Sequence, residues 1–272
     1  MATPIALKPQ KQGTFLSRHP WVMARSLIHP GGGNGTVDVE DGGEVDLVLP
    51  NGRWIARGLY NSRSHIRVRL YSWTLGEPID ADFWRRGLET SIQLRHDLGY
   101  DDPSGATRLV FSEADGLSGL IVDRYADTYV LQALDQGMDA MTSLIRDCLS
   151  ELVAPSGILA RNDASVRRLE GLPQTVETLA GTVPERVEIR MNGLRLEADL
   201  LKGQKTGVYL DQRENYVAAA KHARGRVLDC FTSTGGFALH MAGKVESVEA
   251  IDSSALAIQA AKSNAALNSI TN

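Results

Sequence analysis

Cysteine is scarce. The 272 residues hold two, Cys148 and Cys230, at a separation that matches neither a disulfide framework nor a metal-ligand pair. That argues against a disulfide-stapled scaffold and against a structural zinc site, so no metal is expected, and the usage fits a reducing cytosol. Long apolar runs are missing as well. None approaches the ~18 residues that a membrane span needs, and Met1 to Phe15 has no apolar core of signal-peptide length. A soluble cytoplasmic protein with no membrane partner is the expectation. Two nucleotide fingerprints are also absent. The turn after Val227-Leu228-Asp229-Cys230 is not Gly-x-Gly-x-x-Gly, because Phe231, Ser233 and Thr234 break that spacing. Gly203-Gln204-Lys205-Thr206-Gly207 lacks the Gly-x-x-x-x-Gly-Lys spacing of a P-loop.

Excess charge is small overall, at −4 with a pI near 5.9, so the chain is no polycation. Its distribution is uneven. Residues 1–75 carry nine Lys/Arg against five Asp/Glu, a formal +4 that leaves −8 for the remainder. A basic module on an acidic body suits a nucleic-acid partner held at one end. With 43% hydrophobic residues, the chain can build one large domain or two to three small ones.

What is present is a series of short, well-punctuated elements. Residues 1 to about 76 read as short strands: Thr36 to Val39, Glu44 to Leu49, Trp54 to Tyr60 and Ser64 to Tyr71, with Gly31-Gly32-Gly33 as a loop. This spacing suggests a small barrel. Arg67 and Arg69 share one strand face and can contact phosphates. Residues 77–185 form a helix-plus-sheet unit. A helix over Asp82–Leu98 is capped by Asp80 or Asp82, and strands cover Thr107–Ser112, Leu120–Tyr125, Tyr129–Leu134 and Ile158–Ala160. One amphipathic helix runs from Met138 to Leu152 and places Met138, Met141 and Cys148 in the core. Glu113, Asp115 and Asp123 sit at turns, where local hydrogen bonds and pairing with the adjacent Arg124 are expected.

Residues 187–200 give the clearest hairpin, since Asn192-Gly193 is the preferred two-residue type I′ turn between alternating apolar positions. A helix over Glu214–Ala223 follows. Then an apolar strand ends in Asp229, a Gly-containing turn opens into a helix over Phe237–Ala242, and a second strand, Val245 to Ile251, ends in Asp252. A last helix starts at Ser253 and packs on that strand. This order is the form of a nucleotide-type cofactor site at the carboxyl ends of parallel strands. Gly235 and Gly236 let the backbone approach a ligand, and the Asp252 carboxylate can accept from two ribose hydroxyls. Without a pyrophosphate cradle, S-adenosylmethionine (SAM) is favoured over NAD. Lys205 can neutralise a carboxylate or phosphate, while Asp211 and Arg213 can equally cap and pair at the start of the next helix.

Three strings together, His19-Pro20-Trp21-Val22, Gly58-Leu59-Tyr60-Asn61-Ser62-Arg63-Ser64-His65-Ile66-Arg67-Val68-Arg69 and Gly203 to Arg213 with Val227 to Phe237, resemble a family of bacterial class I methyltransferases. Its members (the RlmI-like family) modify carbon 5 of a cytosine in large-subunit ribosomal RNA and carry an N-terminal PUA domain. The stretches Phe111–Leu117, Leu120–Tyr125 and Arg167–Leu172 are similar to the family's central domain. The resemblance implies a multidomain chain: a PUA β-barrel over 1–76, a central α+β domain over 77–185, and a Rossmann-like α/β methyltransferase domain, incomplete, over 186–272. It implies SAM as cofactor, held by Tyr209, Gln212, Arg213, Asp229, Phe231, Thr234, Gly235, Gly236, Asp252 and Ser253. It implies large-subunit rRNA as partner, and a homodimer is a further expectation.

Cytosine-C5 methylation in this family uses a cysteine thiolate that adds to C6 and makes C5 nucleophilic. The resemblance implies that this cysteine lies beyond the second strand of a sheet of about seven, so no catalytic residue is assigned and Cys230 is not taken as the nucleophile. An unfinished sheet would expose an apolar edge and weaken the C-terminal third. The alternative is a catalytically incomplete RNA-binding protein that retains the PUA and central domains, recognisable by RNA binding without methyl transfer. A dehydrogenase would reveal itself by preferring NAD to SAM.

Overall fold

The computed structural model describes residues 2–28 and 38–272. The expected loop at Gly31–Gly33 and the start of the expected strand, Thr36 and Val37, lie outside the described residues. Asp38 and Val39 belong to no strand.

The first sheet has five strands, β1 (Thr3–Ala6), β2 (Trp21–Met23), β3 (Glu44–Val48), β4 (Trp54–Tyr60) and β5 (Ile66–Ser72), in the order β1-β3-β4-β5-β2. The β1–β3 pair is parallel, and β3–β4, β4–β5 and β5–β2 are antiparallel. Short helix α1 (Gln12–Leu16) contributes Phe15 to a core with Ile5, Leu7, Val22, Val45, Leu47 and Val68. Sequence pattern missed β1, β2 and α1, because segments of three to five residues carry too little periodicity to separate from loops.

Helix α2 (Ala81–Asp97) begins with Asp80 Oδ1 accepting the Phe83 N–H at 3.0 Å, so Asp80 is the cap. A second sheet holds β6 (Ala106–Phe111), β7 (Leu120–Tyr125), β8 (Thr128–Ala133), β9 (Gly157–Asn162) and β10 (Thr175–Gly181), in the order β10-β9-β8-β7-β6. The single helix expected over Met138–Leu152 is two, α3 (Gln136–Ala140) and α4 (Thr142–Val153), broken at Met141. Asp135 caps the first by accepting from Met138 N–H at 3.1 Å. Cys148 is buried on α4, and burial raises its thiol pKa. A short helix α5 (Val166–Leu169) precedes β10.

Strands β11 (Arg186–Met191) and β12 (Leu194–Asp199) form the expected hairpin, with φ of 53° at Asn192 and 85° at Gly193. Both values are positive, as a type I′ turn demands. Helix α6 (Arg213–His222), β13 (Arg226–Cys230), α7 (Gly236–Ala242), β14 (Ser247–Ile251) and α8 (Ala255–Leu267) complete the chain, with β13 and β14 parallel.

The chain divides into two compact units. Unit 1 is Met1–Leu94, Leu109–Val122 and Leu131–Gly181; unit 2 is Arg95–Arg108, Asp123–Val130 and Thr182–Asn272.

Within unit 1, Arg69 is not a solvent-facing phosphate contact as its strand position suggested. It is 8% exposed and lies 2.9 Å from Glu170, 3.0 Å from Asp135 and 3.8 Å from Glu113. The Asp135 oxygen nearest Arg69 is off the N–H direction and accepts no hydrogen bond, so this contact is an ion pair only. Burial dominates at Asp135 and pushes its carboxyl up to about 6, against the pull of Arg69. Arg67 turns its guanidinium to the carbonyls of Asn61, at 3.0 Å, and Ser62.

Candidate cofactor site

The site in unit 2 is built on the turn between β13 and α7. Phe231, Ser233 and Gly235 adopt φ of 62°, 50° and 90°. The first two are non-glycine residues in the left-handed region, at a cost of roughly 1–3 kcal/mol each. Two carboxylates hold the turn against that cost. Asp229 Oδ2 accepts from the Thr232 hydroxyl at 2.6 Å and from the Ala238 N–H at 3.0 Å. Asp252 Oδ2 accepts from the Ser233 N–H at 2.9 Å, and its Oδ1 accepts from the Ser254 N–H at 2.9 Å. The backbone donors, Ser254 first and Ser233 second, lower the Asp252 pKa, so the group is ionised at neutral pH. Each Asp252 oxygen takes one of these hydrogen bonds and retains a lone pair for a further donor.

The glycines answer to packing as well as to a ligand. A Cβ at Gly236 would fall 2.4 Å from the Tyr216 ring, and one at Gly235 would fall 3.2 Å from Ala261 and from Leu239. Tyr216 in turn packs edge-on to Phe237 and stacks on His240, with centroids 4.8 and 4.9 Å apart. His240 Nδ1 lies 2.7 Å from the Gly236 carbonyl, an acceptor, so Nδ1 carries the ring proton. Nε2 then accepts from Asn192 Nδ2 at 3.2 Å. Burial lowers the His240 pKa and keeps the ring neutral. On the far side, the buried Asn264 of α8 donates to the Thr234 carbonyl at 3.2 Å and accepts from the Glu197 N–H on β12 at 2.8 Å.

A second wall is the segment Gly203–Tyr209. Its Gln204 Oε1 accepts from the Tyr209 hydroxyl at 2.5 Å and from the Ser233 hydroxyl at 3.4 Å, which ties the segment to the turn. Lys205 pairs with Asp211 at 2.7 Å and lies 4.5 Å from the centre of the Tyr209 ring. A relay of buried groups fixes the segment from beneath. Arg108 donates twice to Asp123, at 2.8 and 2.9 Å. Thr206 donates to Asp123 Oδ2 at 2.5 Å, so the Tyr125 hydroxyl, 2.8 Å away, must donate to Thr206 Oγ1. Tyr125 Oη then accepts from the Val208 N–H at 3.2 Å. The expected pairing of Asp123 with its neighbour Arg124 is therefore corrected: Arg124 donates to the carbonyls of Tyr100, at 3.1 Å, and Asp102, at 2.6 Å. Successive strand residues face opposite ways, so the partner of Asp123 comes from another strand.

The turn thus gathers Asp229, Phe231, Thr234, Gly235, Gly236, Asp252 and Ser253, and Gln204 links Tyr209 to them. Phe231 is 87% exposed and Ser253 is exposed. Gln212 accepts from Asn215 at 2.9 Å, and Arg213 lies over the Tyr100 ring at 4.6 Å and donates to the Ala106 carbonyl at 3.3 Å, which is the structural alternative raised for that stretch. Gln204, Thr206, Asn264 and the Arg108–Asp123 pair carry no local signal of their roles, because every partner but Tyr209 is at least 15 residues away. Cys230, at the end of β13, is exposed, as are Leu228 and Ile251. Among the described residues no group of three His, Cys, Asp or Glu side chains is placed to hold a metal, and no helix is long and apolar enough to cross a membrane.

Residues 5–73 match the family model of a PUA-like domain, and residues 130–271 match that of an S-adenosylmethionine-dependent methyltransferase. The chain is 37% identical over 99% of its length to "Ribosomal RNA large subunit methyltransferase I" of Shewanella denitrificans, and 38% identical over 98% to the protein of that name in Aliivibrio fischeri. It spans about two thirds of each relative, 68% and 67%. Two solved methyltransferase structures share the fold at 16% identity. One, from Streptococcus mutans, aligns with a TM-score of 0.81, and another, complexed with SAH, with 0.83; this chain is covered to 99% and those chains to 68% and 67%.

Proposed function

The chain belongs to the ribosomal RNA large subunit methyltransferase I family, and from that premise we propose that its target is carbon 5 of a cytosine in large-subunit rRNA. It is a SAM-dependent RNA methyltransferase with a PUA-like domain. The observation that carries the cofactor reading is the ionised Asp252 at the end of β14, with a free lone pair on each oxygen beside a turn held open by two carboxylates. These residues fit SAM: Asp252 takes the ribose hydroxyls, and the backbone of Thr234–Gly236, Phe231, Ser253 and Tyr209 line the remainder. Asp229 acts by holding Thr232 and the α7 amide. Gln212 and Arg213 border the site through the Tyr209 segment. SAM, when bound, supplies an electrophilic methyl group on a sulfonium. The chain's part is to bind and orient it.

Three-part organisation remains our reading, with a PUA barrel over 1–76, a linking α+β domain over 77–185 and the methyltransferase domain from 186. The exposed Leu228, Cys230 and Ile251 share one face of the β13–β14 pair. A cytoplasmic location follows from a ribosomal substrate. The homodimer is tested by light scattering, which would give twice the 29.6 kDa chain mass. The function is tested by titration calorimetry with SAM on the wild type and Asp252→Ala. Loss of charge-assisted bonds to two hydroxyls weakens binding by at least about tenfold. Equal affinities would sink the assignment of Asp252, and tighter binding of NAD than of SAM would sink the cofactor.

A further inference from the structure

Unit 1 contains a cavity of about 310 Å³ that the cofactor site does not use. That is the small end of the ~300–1,000 Å³ range of ligand pockets. Its apolar lining is Trp21 on β2, Ile66 on β5, Leu134, and Val166 and Leu169 on α5. Leu169 is 76% exposed and Trp21 39%, an unusual outlay of apolar surface for side chains at one opening. The indole is held by its polar edge. Its Nε1–H donates to Glu113 Oε1 at 2.7 Å, and the Arg69 guanidinium carbon stands 5.9 Å from the ring centre.

Charge in and around the cavity is sorted. Inside, Arg69 faces the lining carboxylates Glu113 and Glu170, with Asp135 buried behind it, so carboxylates outnumber the cation and a second anion is not accommodated. Glu113 Oε1 accepts from Trp21 and Ser118, while Oε2 accepts from Ser112 alone and keeps acceptor capacity. Outside, the exposed ionisable residues at or next to lining positions are basic: Arg63, His65 and Arg168. A ligand that suits this arrangement is flat and apolar in its body, has N–H donors on its edge, and carries negative charge on a flexible tail.

We propose that this cavity receives one unstacked nucleobase of single-stranded RNA, an amino-bearing base, with Trp21 as its stacking platform. Glu113 accepts from the base edge, and the flanking phosphates lie against Arg63, His65 and Arg168. Single-stranded RNA is read in this way elsewhere, by aromatic stacking and edge hydrogen bonds on splayed bases. The inference rests on the RNA reading above, but it concerns a second site, in unit 1, apart from the methyl-transfer chemistry.

The test uses the full chain and fluorescein-labelled short RNA strands that carry cytidine, uridine or an abasic residue at the centre, followed by anisotropy. The cytidine strand should bind more tightly than the uridine strand, and the abasic strand weakest. Trp21→Ala should weaken the cytidine strand by about tenfold or more, the size of one base–aromatic stack, leave the abasic strand unchanged, and be rescued by Trp21→Phe. Leu169→Glu, at an exposed position that folding does not depend on, should weaken binding of the base-bearing strands likewise. If abasic and cytidine strands bind equally, or if both variants with wild-type urea midpoints bind cytidine normally, the pocket is refuted while RNA binding stands. If no strand binds, or an arginine-rich peptide displaces none of them but binds in the cavity itself, the nucleobase assignment fails outright. SAM calorimetry on the same preparation reports the methyltransferase reading independently.

Discussion

Replacing Thr206 with valine keeps the side-chain shape and deletes one oxygen at the centre of the buried relay. Thr206, Asp123 and Tyr125 are each fully buried, so water cannot substitute. The Tyr125 hydroxyl loses its acceptor, which costs about 1–3 kcal/mol, and Asp123 loses a charge-assisted bond worth about 1.5–3 kcal/mol. Asp123 keeps both bonds from Arg108, which holds the total toward the lower ends, about 2.5–4 kcal/mol. The assay is urea unfolding followed by circular dichroism and by tryptophan fluorescence in parallel. All four tryptophans, Trp21, Trp54, Trp73 and Trp84, lie in unit 1, so fluorescence reports that unit and circular dichroism reports both. In a Tyr125→Phe background there is no hydroxyl to orphan, and the cost of Thr206→Val should fall by at least about 1 kcal/mol. A single variant within about 0.5 kcal/mol of wild type, or strict additivity in the cycle, would show that the relay does not fix the segment.

Three further outcomes are expected. His240 has a folded pKa below its ordinary ~6.5 because it is buried neutral, so its contribution to stability is present above pH ~6.5 and is lost as pH falls from there toward the folded value. Urea midpoints at pH 7.5 and 5.5 should differ for the wild type by more than for His240→Gln, and equal differences would exclude His240 as the titrating group. Arg69→Met leaves Glu170, Asp135 and Glu113 without their cation and should cost about 3–5 kcal/mol by tryptophan fluorescence, whereas Arg67→Met costs within about 1 kcal/mol. The reverse order would restore Arg69 to the surface. Ellman's reagent should modify the exposed Cys230 at once and Cys148 only on unfolding, since Cys148 is buried and its thiol pKa is raised. Two fast thiols would contradict the α4 core.

Local chemistry was enough to settle much of this protein. Asn192-Gly193 dictates a type I′ hairpin because both positions need positive φ. The short apolar runs Trp54–Tyr60 and Leu120–Tyr125, bounded by turn residues, yield strands with those very ends. The run from Val227 to Asp252 specifies strand, turn, helix and strand, because its apolar period changes at Gly235-Gly236; β13 runs one residue past Asp229, to Cys230, and Asp252 follows the last residue of β14. Sequence could not decide which charges are inside. Arg67 and Arg69 share a face by pattern, yet the second is buried under carboxylates from residues 113, 135 and 170, brought in by three different segments. Asp123 ignores the arginine beside it for Arg108 on the next strand, and Thr206 reaches it across 83 residues. Trp21 finds Glu113 across 92. Backbone conformation follows from near neighbours, since steric and hydrogen-bonding preferences act over a few residues. A buried polar group, in contrast, must find whichever partner the packed chain brings within about 3 Å, and only the tertiary fold makes that choice.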